Sequence, residues 1–298
     1  MRMAPLSLKG YLVLDKIKDG SVGTVWRAAN SSRKQFALKQ IALEHVTDSA
    51  KVKQFAKEAV LTKKLTHPNI IRVHEYHDVR PQPFFVMEYF ESENLKYAMS
   101  QAPERVHKKE FQILMAVADA LAYVHEQGII HKDVKPENVL VSASSDVRLI
   151  DFSLSQTKWD RLLQFGRKVE GTPLYMAPEQ IRGARCDART DVYSFGVMMY
   201  ELLAKRHPFM AESQEKILEK HLREAPVSMR TFVRTIDAAL DRFVLRLLNK
   251  NPDGRFQTMS DVMQELARWC KQDTVLRLKQ VVDAPLQYPA AREVPSTV

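Results

Sequence analysis

Six side chains whose types and spacing could carry chemistry lie between residues 39 and 151. Lys39 ends the run Ala37-Leu38-Lys39, and Glu58 follows nineteen residues later. Asp133, Lys135 and Asn138 crowd into Ile129-Ile130-His131-Lys132-Asp133-Val134-Lys135-Pro136-Glu137-Asn138-Val139-Leu140, and Asp151 stands eighteen residues after Asp133 in Leu149-Ile150-Asp151-Phe152-Ser153. Asp133 can accept the proton of an attacking hydroxyl, and Lys135 can neutralise charge on a transferring phosphoryl group. Asn138 and Asp151 offer oxygens to a divalent metal. Lys39 can hold phosphates if Glu58 aims it; at ~4 Å and an effective dielectric of ~20 such a pair is worth on the order of 4 kcal/mol before desolvation. Upstream, Gly20-Ser21-Val22-Gly23-Thr24-Val25 has two glycines that let backbone N–H groups approach phosphates closely. Each piece alone has a plainer reading: a hairpin turn, a solvent-facing lysine, a turn-stabilising Asp or Asn. All of them at these intervals point to phosphoryl transfer.

Such groups need rigid elements behind them. Tyr11–Ile17, Thr24–Ala29, Gln35–Ile41, Ile71–Tyr76 and Phe84–Tyr89 read as strands. One helix interrupts them at about Ala50–Leu65, with Phe55, Glu58, Thr62 and Leu65 on one face. A glutamate on an inward face is costly unless it meets a cation, which singles out Glu58 without any motif. After Phe90 helices dominate: Phe111–His125 is apolar nearly all round, and Val192–Ala204 and Asp237–Leu248 follow, with short strands at Val139–Val141 and Val147–Ile150. The fold class is therefore α+β: a small β-rich lobe with one long helix (about 10–88), then a larger, mainly helical lobe (about 91–268). Residues 269–298 read as a C-terminal helix and an irregular tail containing three prolines after Ala284.

Composition narrows the class. In 298 residues, 45% are hydrophobic and 27% charged, the balance of an ordinary globular protein. The net charge of +9 is dispersed rather than interleaved with aromatics, so a nucleic-acid partner is not expected. Cys186 and Cys270 are too few for a disulfide framework, have no zinc spacing, and read as small buried side chains in a reducing, cytoplasmic setting. The most apolar stretch, Val192–Ala204, is too short to span a bilayer, and Met1–Lys9 lacks a secretory pattern. No membrane segment is expected in this chain.

Taken as a set, these motifs resemble the protein-kinase signature over about residues 10–268. The likeness continues through Gly171-Thr172-Pro173-Leu174-Tyr175-Met176-Ala177-Pro178-Glu179, similar to the end of a kinase activation segment. It extends to Asp191-Val192-Tyr193-Ser194-Phe195-Gly196 and to Arg255, which the resemblance pairs with Glu179. The resemblance implies ATP and Mg²⁺ as cofactors and proteins as substrates. It implies that Ile17, Val25, Ala37 and Leu140 sandwich the adenine, with Met87 as gatekeeper and the backbones of Glu88 and Phe90 on the adenine edge. Gly20 and Gly23 then cover the phosphates, Lys39 and Glu58 form an ion pair, Asn138 and Asp151 hold metal, and Asp133 is the base with Lys135 beside it. Lys135 and Thr172 resemble the serine/threonine branch, and Tyr175–Gln180 is most similar to bacterial members.

The chain departs from the pattern at Lys18 (for the first loop glycine), Lys132 (for arginine), Ser153 (for glycine) and Thr62 (for a larger apolar residue). These bear on regulation more than on catalysis. From Lys158 through Gly171 there is no Ser, Thr or Tyr, and Lys132 cannot make the planar clamp an arginine would offer a phosphate. Activity without activation-segment phosphorylation is therefore expected, the segment being held by Trp159, Leu162, Leu163 and Phe165. A regulatory protein could meet that segment, or the lysine stripe Lys53, Lys57 and Lys64, which reads first as a solvated face. The competing functions are a pseudokinase scaffold and a small-molecule kinase. Retention of the full set opposes the first, and residues 171–179 oppose the second.

Overall fold

The computed structural model describes residues 7–20, 22–157, 160 and 171–276. The N-terminal lobe is an antiparallel sheet in the order β1-β2-β3-β4-β6-β5, from β1 (Ser7–Leu8), β2 (Tyr11–Asp19), β3 (Gly23–Ala29), β4 (Gln35–Ile41), β5 (Val73–His77) and β6 (Phe84–Glu88). Between β4 and β5 runs α1 (Ser49–Lys63), started by Asp48, whose carboxylate accepts from the N–H groups of Ala50 and Lys51. Its buried Phe55 and Ala59 pack on the sheet, where the Phe55 and Phe85 rings lie 5.1 Å apart, while Leu61 joins the core of the second lobe. Strand β5 begins at Val73, two residues later than the sequence suggests; Ile70 and Ile71 are used to join the lobes, Ile71 N–H donating to the Leu149 carbonyl at 3.0 Å.

The second lobe carries β7 (Glu93–Asn94), α2 (Leu95–Gln101), α3 (Pro103–His107), α4 (Glu110–Glu126), β8 (Val139–Val141) and β9 (Val147–Leu149). After these come α5 (Pro178–Ile181), α6 (Ala188–Ala204), α7 (Gln214–Arg223), α8 (Ala238–Leu247) and α9 (Met259–Leu276). The last helix runs unbroken through residue 268. Helix α6 is buried from Thr190 to Ala204 and is the axis of the lobe. It approaches α8 so closely that a Cβ on Gly196 would lie 2.6 Å from Leu247 Cβ. Cys186 is buried, with its thiol pushed up to about 11 chiefly by burial, and Cys270 is half-buried rather than fully so. Among the described residues no helix is long and apolar enough to cross a membrane.

Candidate active site

Sheet register places the first part of the site. Val25 lies opposite Lys39, and Ala37 opposite Met87, so all four project from the same face. Leu140 enters from the other lobe, paired with Arg148 and Asn94 in the small β7-β8-β9 sheet. Ile17 sits in the irregularity between Lys16 and Lys18 and is 48% exposed. Glu88 and Phe90 occupy the crossing between lobes. The Glu88 carboxylate accepts from Arg72 N–H at 2.9 Å and Arg148 Nε at 3.1 Å, and the Arg148 guanidinium stacks over the Phe90 ring.

The loop between β2 and β3 is closed by Gly20 N–H donating to the Gly23 carbonyl at 2.9 Å. A Cβ on Gly23 would stand 2.2 Å from the Gln40 carbonyl oxygen, so only glycine fits without moving β3 off β4. Asp19 pins the same loop, accepting from Lys16 Nζ at 2.7 Å and Thr24 Oγ1 at 2.9 Å. Because overpacking costs about 1–3 kcal/mol, Gly23→Ala is expected to raise the KM for ATP roughly tenfold, with a smaller change in kcat. An unchanged KM in steady-state kinetics would contradict this.

Lys39 Nζ meets both oxygens of Glu58, at 2.7 and 2.9 Å, so the inward glutamate has found its cation. Burial opposes the charge on Lys39, but the Glu58 and Asp151 carboxylates outweigh it and raise the lysine above its ordinary value. Thr62, one turn on, spends its hydroxyl on the Glu58 carbonyl, which is how a polar residue is tolerated in that buried position.

Asp133, Lys135 and Asn138 converge. Lys135 Nζ lies 2.7 Å from Asp133 Oδ2, and Asn138 Nδ2 donates to the same oxygen and to the Asp133 carbonyl, both at 2.9 Å. Thr172 joins them, its hydroxyl 2.5 Å from Lys135 Nζ and 3.3 Å from Asp133 Oδ1, so the far end of the activation segment rests on this loop. The loop is held from below by Asp191, which the sequence marks only as a helix start. Its carboxylate accepts from the N–H groups of His131 and Lys132, both at 2.8 Å, and lies 2.7 Å from His125 Nε2. Burial alone would raise the Asp191 pKa; His125, His131 and the Lys132 N–H reverse the sign. That grip sustains a left-handed Lys132, φ +69°. The buried-carboxylate argument that singled out Glu58 applies equally to Asp191, at the head of an apolar run.

Asp151 is also left-handed, φ +66°, and accepts from Ser153 N–H at 3.2 Å. Burial would raise its carboxyl, but Lys39 and Ser153 hold it down at about 2, so it is ionised at neutral pH. Ile150 N–H donates to the Asn138 carbonyl at 3.0 Å, which brings Asp151 alongside Asn138. The amide nitrogen of Asn138 is spent on Asp133, leaving its side-chain oxygen for a cation. One carboxylate, one amide oxygen and phosphate oxygens suit Mg²⁺, which keeps few protein ligands. Phe152 is buried against His131, ring centroids 4.7 Å apart.

Ser153 is absent from the left-handed residues, so serine is unstrained in this arrangement. A flip of Asp151-Phe152 that needs positive φ there would cost serine about 1–2 kcal/mol. Inhibitors that require the phenylalanine-out state are expected to bind about fivefold or more tighter to Ser153→Gly; equal affinities would refute it.

The chain matches the protein kinase domain model over residues 11–267. It belongs to the protein kinase family. It is 33% identical over 238 residues to the serine/threonine-protein kinase PknB of Mycobacterium tuberculosis, covering 78% of this chain and 38% of that protein. It is 28% identical over 258 residues to a Clostridium acetobutylicum protein named a probable serine/threonine-protein kinase, covering 86% of this chain and 39% of that one. The chain thus spans well under half the length of these relatives, which are bacterial, as the Tyr175–Gln180 run suggests. Glu179 and Arg255 pair as the resemblance implied, at 2.8 and 2.9 Å.

Proposed function

We propose that this protein kinase domain is an active serine/threonine kinase that transfers the γ-phosphoryl group of Mg·ATP to protein hydroxyls. The observation that carries this reading is the joint closure of two clusters, Lys39 on Glu58 and Asp133 on Lys135, Asn138 and Thr172. A pseudokinase scaffold has no need of either.

The adenine would lie among Ile17, Val25, Ala37 and Leu140, with Met87 behind it and the backbones of Glu88 and Phe90 on its edge. Lys39 would hold the α- and β-phosphates beneath Gly20 and Gly23. Asn138 and Asp151 would hold Mg²⁺, which when bound neutralises phosphate charge. As the serine or threonine oxygen bonds to the γ-phosphorus and the bridge to the β-phosphate breaks, Asp133 takes the hydroxyl proton and ADP departs. Lys135 offsets the charge on the transferring group. Protein substrates in a reducing, cytoplasmic setting complete the reading. Incubation with Mg·ATP and a generic basic protein tests it: label in the protein supports a protein kinase, label only in small hydroxyl compounds a small-molecule kinase, and none a scaffold.

Activation-segment phosphorylation is not needed on this reading. The nearby acceptors are engaged: Ser155 is buried on the His131 carbonyl, Thr157 bonds Asp160, Thr172 bonds Lys135, and Tyr175 is buried on Glu201. Trp159, Leu162, Leu163 and Phe165, expected to hold the segment, lie outside the described residues. Phosphatase treatment is expected to leave kcat within about twofold, well under 1 kcal/mol. A large loss, restored by phosphate at Ser155, Thr157, Thr172 or Tyr175, would overturn it.

A further inference from the structure

Helix α1 turns three positions of one face, i, i+3 and i+4, onto groups around Asp151. Gln54 Nε2 donates to the Ser153 carbonyl at 3.1 Å, Lys57 Nζ lies 2.7 Å from Asp160 Oδ2, and Glu58 takes Lys39. Lys57, which the sequence groups with Lys53 and Lys64 in a lysine stripe, is therefore engaged within the chain. Its partner is 103 residues away and comes from the segment that follows Asp151. Asp160 is itself fixed locally. Its Oδ2 accepts from both the N–H and the hydroxyl of Thr157 at 2.8 Å, and its own N–H donates to Thr157 Oγ1 at 3.3 Å. The carboxylate is thus held by Thr157 of its own segment as well as by Lys57. Burial works against its charge, but Lys57 and Thr157 prevail and keep its pKa low.

An ion pair 41% and 27% exposed contributes little to global stability. Its position matters more, because Lys57 adjoins Glu58, so a withdrawal of α1 from the segment that carries Asp160 draws Lys57 off its partner together with Glu58 off Lys39. We propose that Asp160 is a positioning residue for phosphoryl transfer: through Lys57 it holds α1 inward and keeps Glu58 on Lys39, with a carboxylate the chain already carries. This rests on the phosphotransfer reading above. It gives a physical reason why a segment without a phosphate acceptor between residues 158 and 171 can support activity.

A charge-swap cycle on the full chain tests the tether. Wild type, Asp160→Lys, Lys57→Asp, the double swap and Asp160→Glu are compared by kcat on a generic basic protein and by amide hydrogen exchange across residues 49–63. Each single swap is expected to lower kcat about fivefold or more, as for coupled sites, with the KM for the basic protein little changed, and to speed exchange in α1. The double swap restores both readouts, and Asp160→Glu retains most of the activity. Unchanged exchange in the single swaps, or a double swap no better than the worse single, overturns the proposal. A wild type without turnover defeats the phosphotransfer reading instead, and exchange still decides whether the tether exists.

Discussion

Asp151→Asn is expected to leave less turnover than Asp133→Asn or any other single substitution in the site. Loss of a general base typically costs 10²–10⁴-fold. Asp151 bears on more than one step of the proposed reaction. It is ionised beside Lys39, lies next to Asn138, and is the one carboxylate of the proposed metal pair. Removing its charge would misplace the phosphates and also withdraw the cation that stabilises the transferring group. Lys39→Met should also be severe, with the loss mainly in kcat. Steady-state kinetics on purified variants decide the order. Asp151→Asn turning over like wild type would remove the metal assignment.

Arg255→Ala is expected to produce the largest loss of stability. The side chain is 1% exposed, yet every nitrogen is used: Nη1 and Nη2 take Glu179, and the carbonyls of Arg189, Asn249 and Lys250 accept the rest. Thr190 adds a hydroxyl to Glu179 at 2.9 Å. Truncation leaves Glu179 buried without its cation, which costs about 3–5 kcal/mol. For a domain of this size that is a fall in Tm of roughly 6–20 °C. The double variant Arg255→Met/Glu179→Leu should lose less than Arg255→Ala, because no charge is stranded. Calorimetry showing a drop under about 2 °C for Arg255→Ala would contradict this account of the pair.

What the sequence made legible divides along physical lines. Glu58 could be found from periodicity alone, because a carboxylate on an apolar helix face demands a cation, and Lys39 proved to be that cation. The loop of Asp133, Lys135 and Asn138 was legible because its members are near neighbours in the chain. Arg255 and Glu179, 76 residues apart, were joined only through the family resemblance. The pairing of Lys57 with Asp160 was not anticipated, Lys57 having been read as part of a solvated lysine stripe. Both are partly exposed, and nothing in either local stretch marks a partner 103 residues distant. Ile71 read as the start of a strand because β-branched residues suit strands, whereas the fold spends it on the contact with Leu149. Helices α2, α3, α5 and α7 were not anticipated. In α7 the apolar side is confined to Ile217, Leu218 and Leu222 among five charged residues, a short stripe that was overlooked.

The most direct test of the central claim is the chemical identity of the phosphorylated product. Purified chain, γ-labelled ATP, Mg²⁺ and a generic basic protein are incubated, and the labelled protein is hydrolysed to its amino acids. The account predicts phosphoserine or phosphothreonine, dependent on Mg²⁺ and absent with Asp151→Asn. Phosphotyrosine as the main product, or no labelled protein from a chain that binds Mg·ATP, would contradict it.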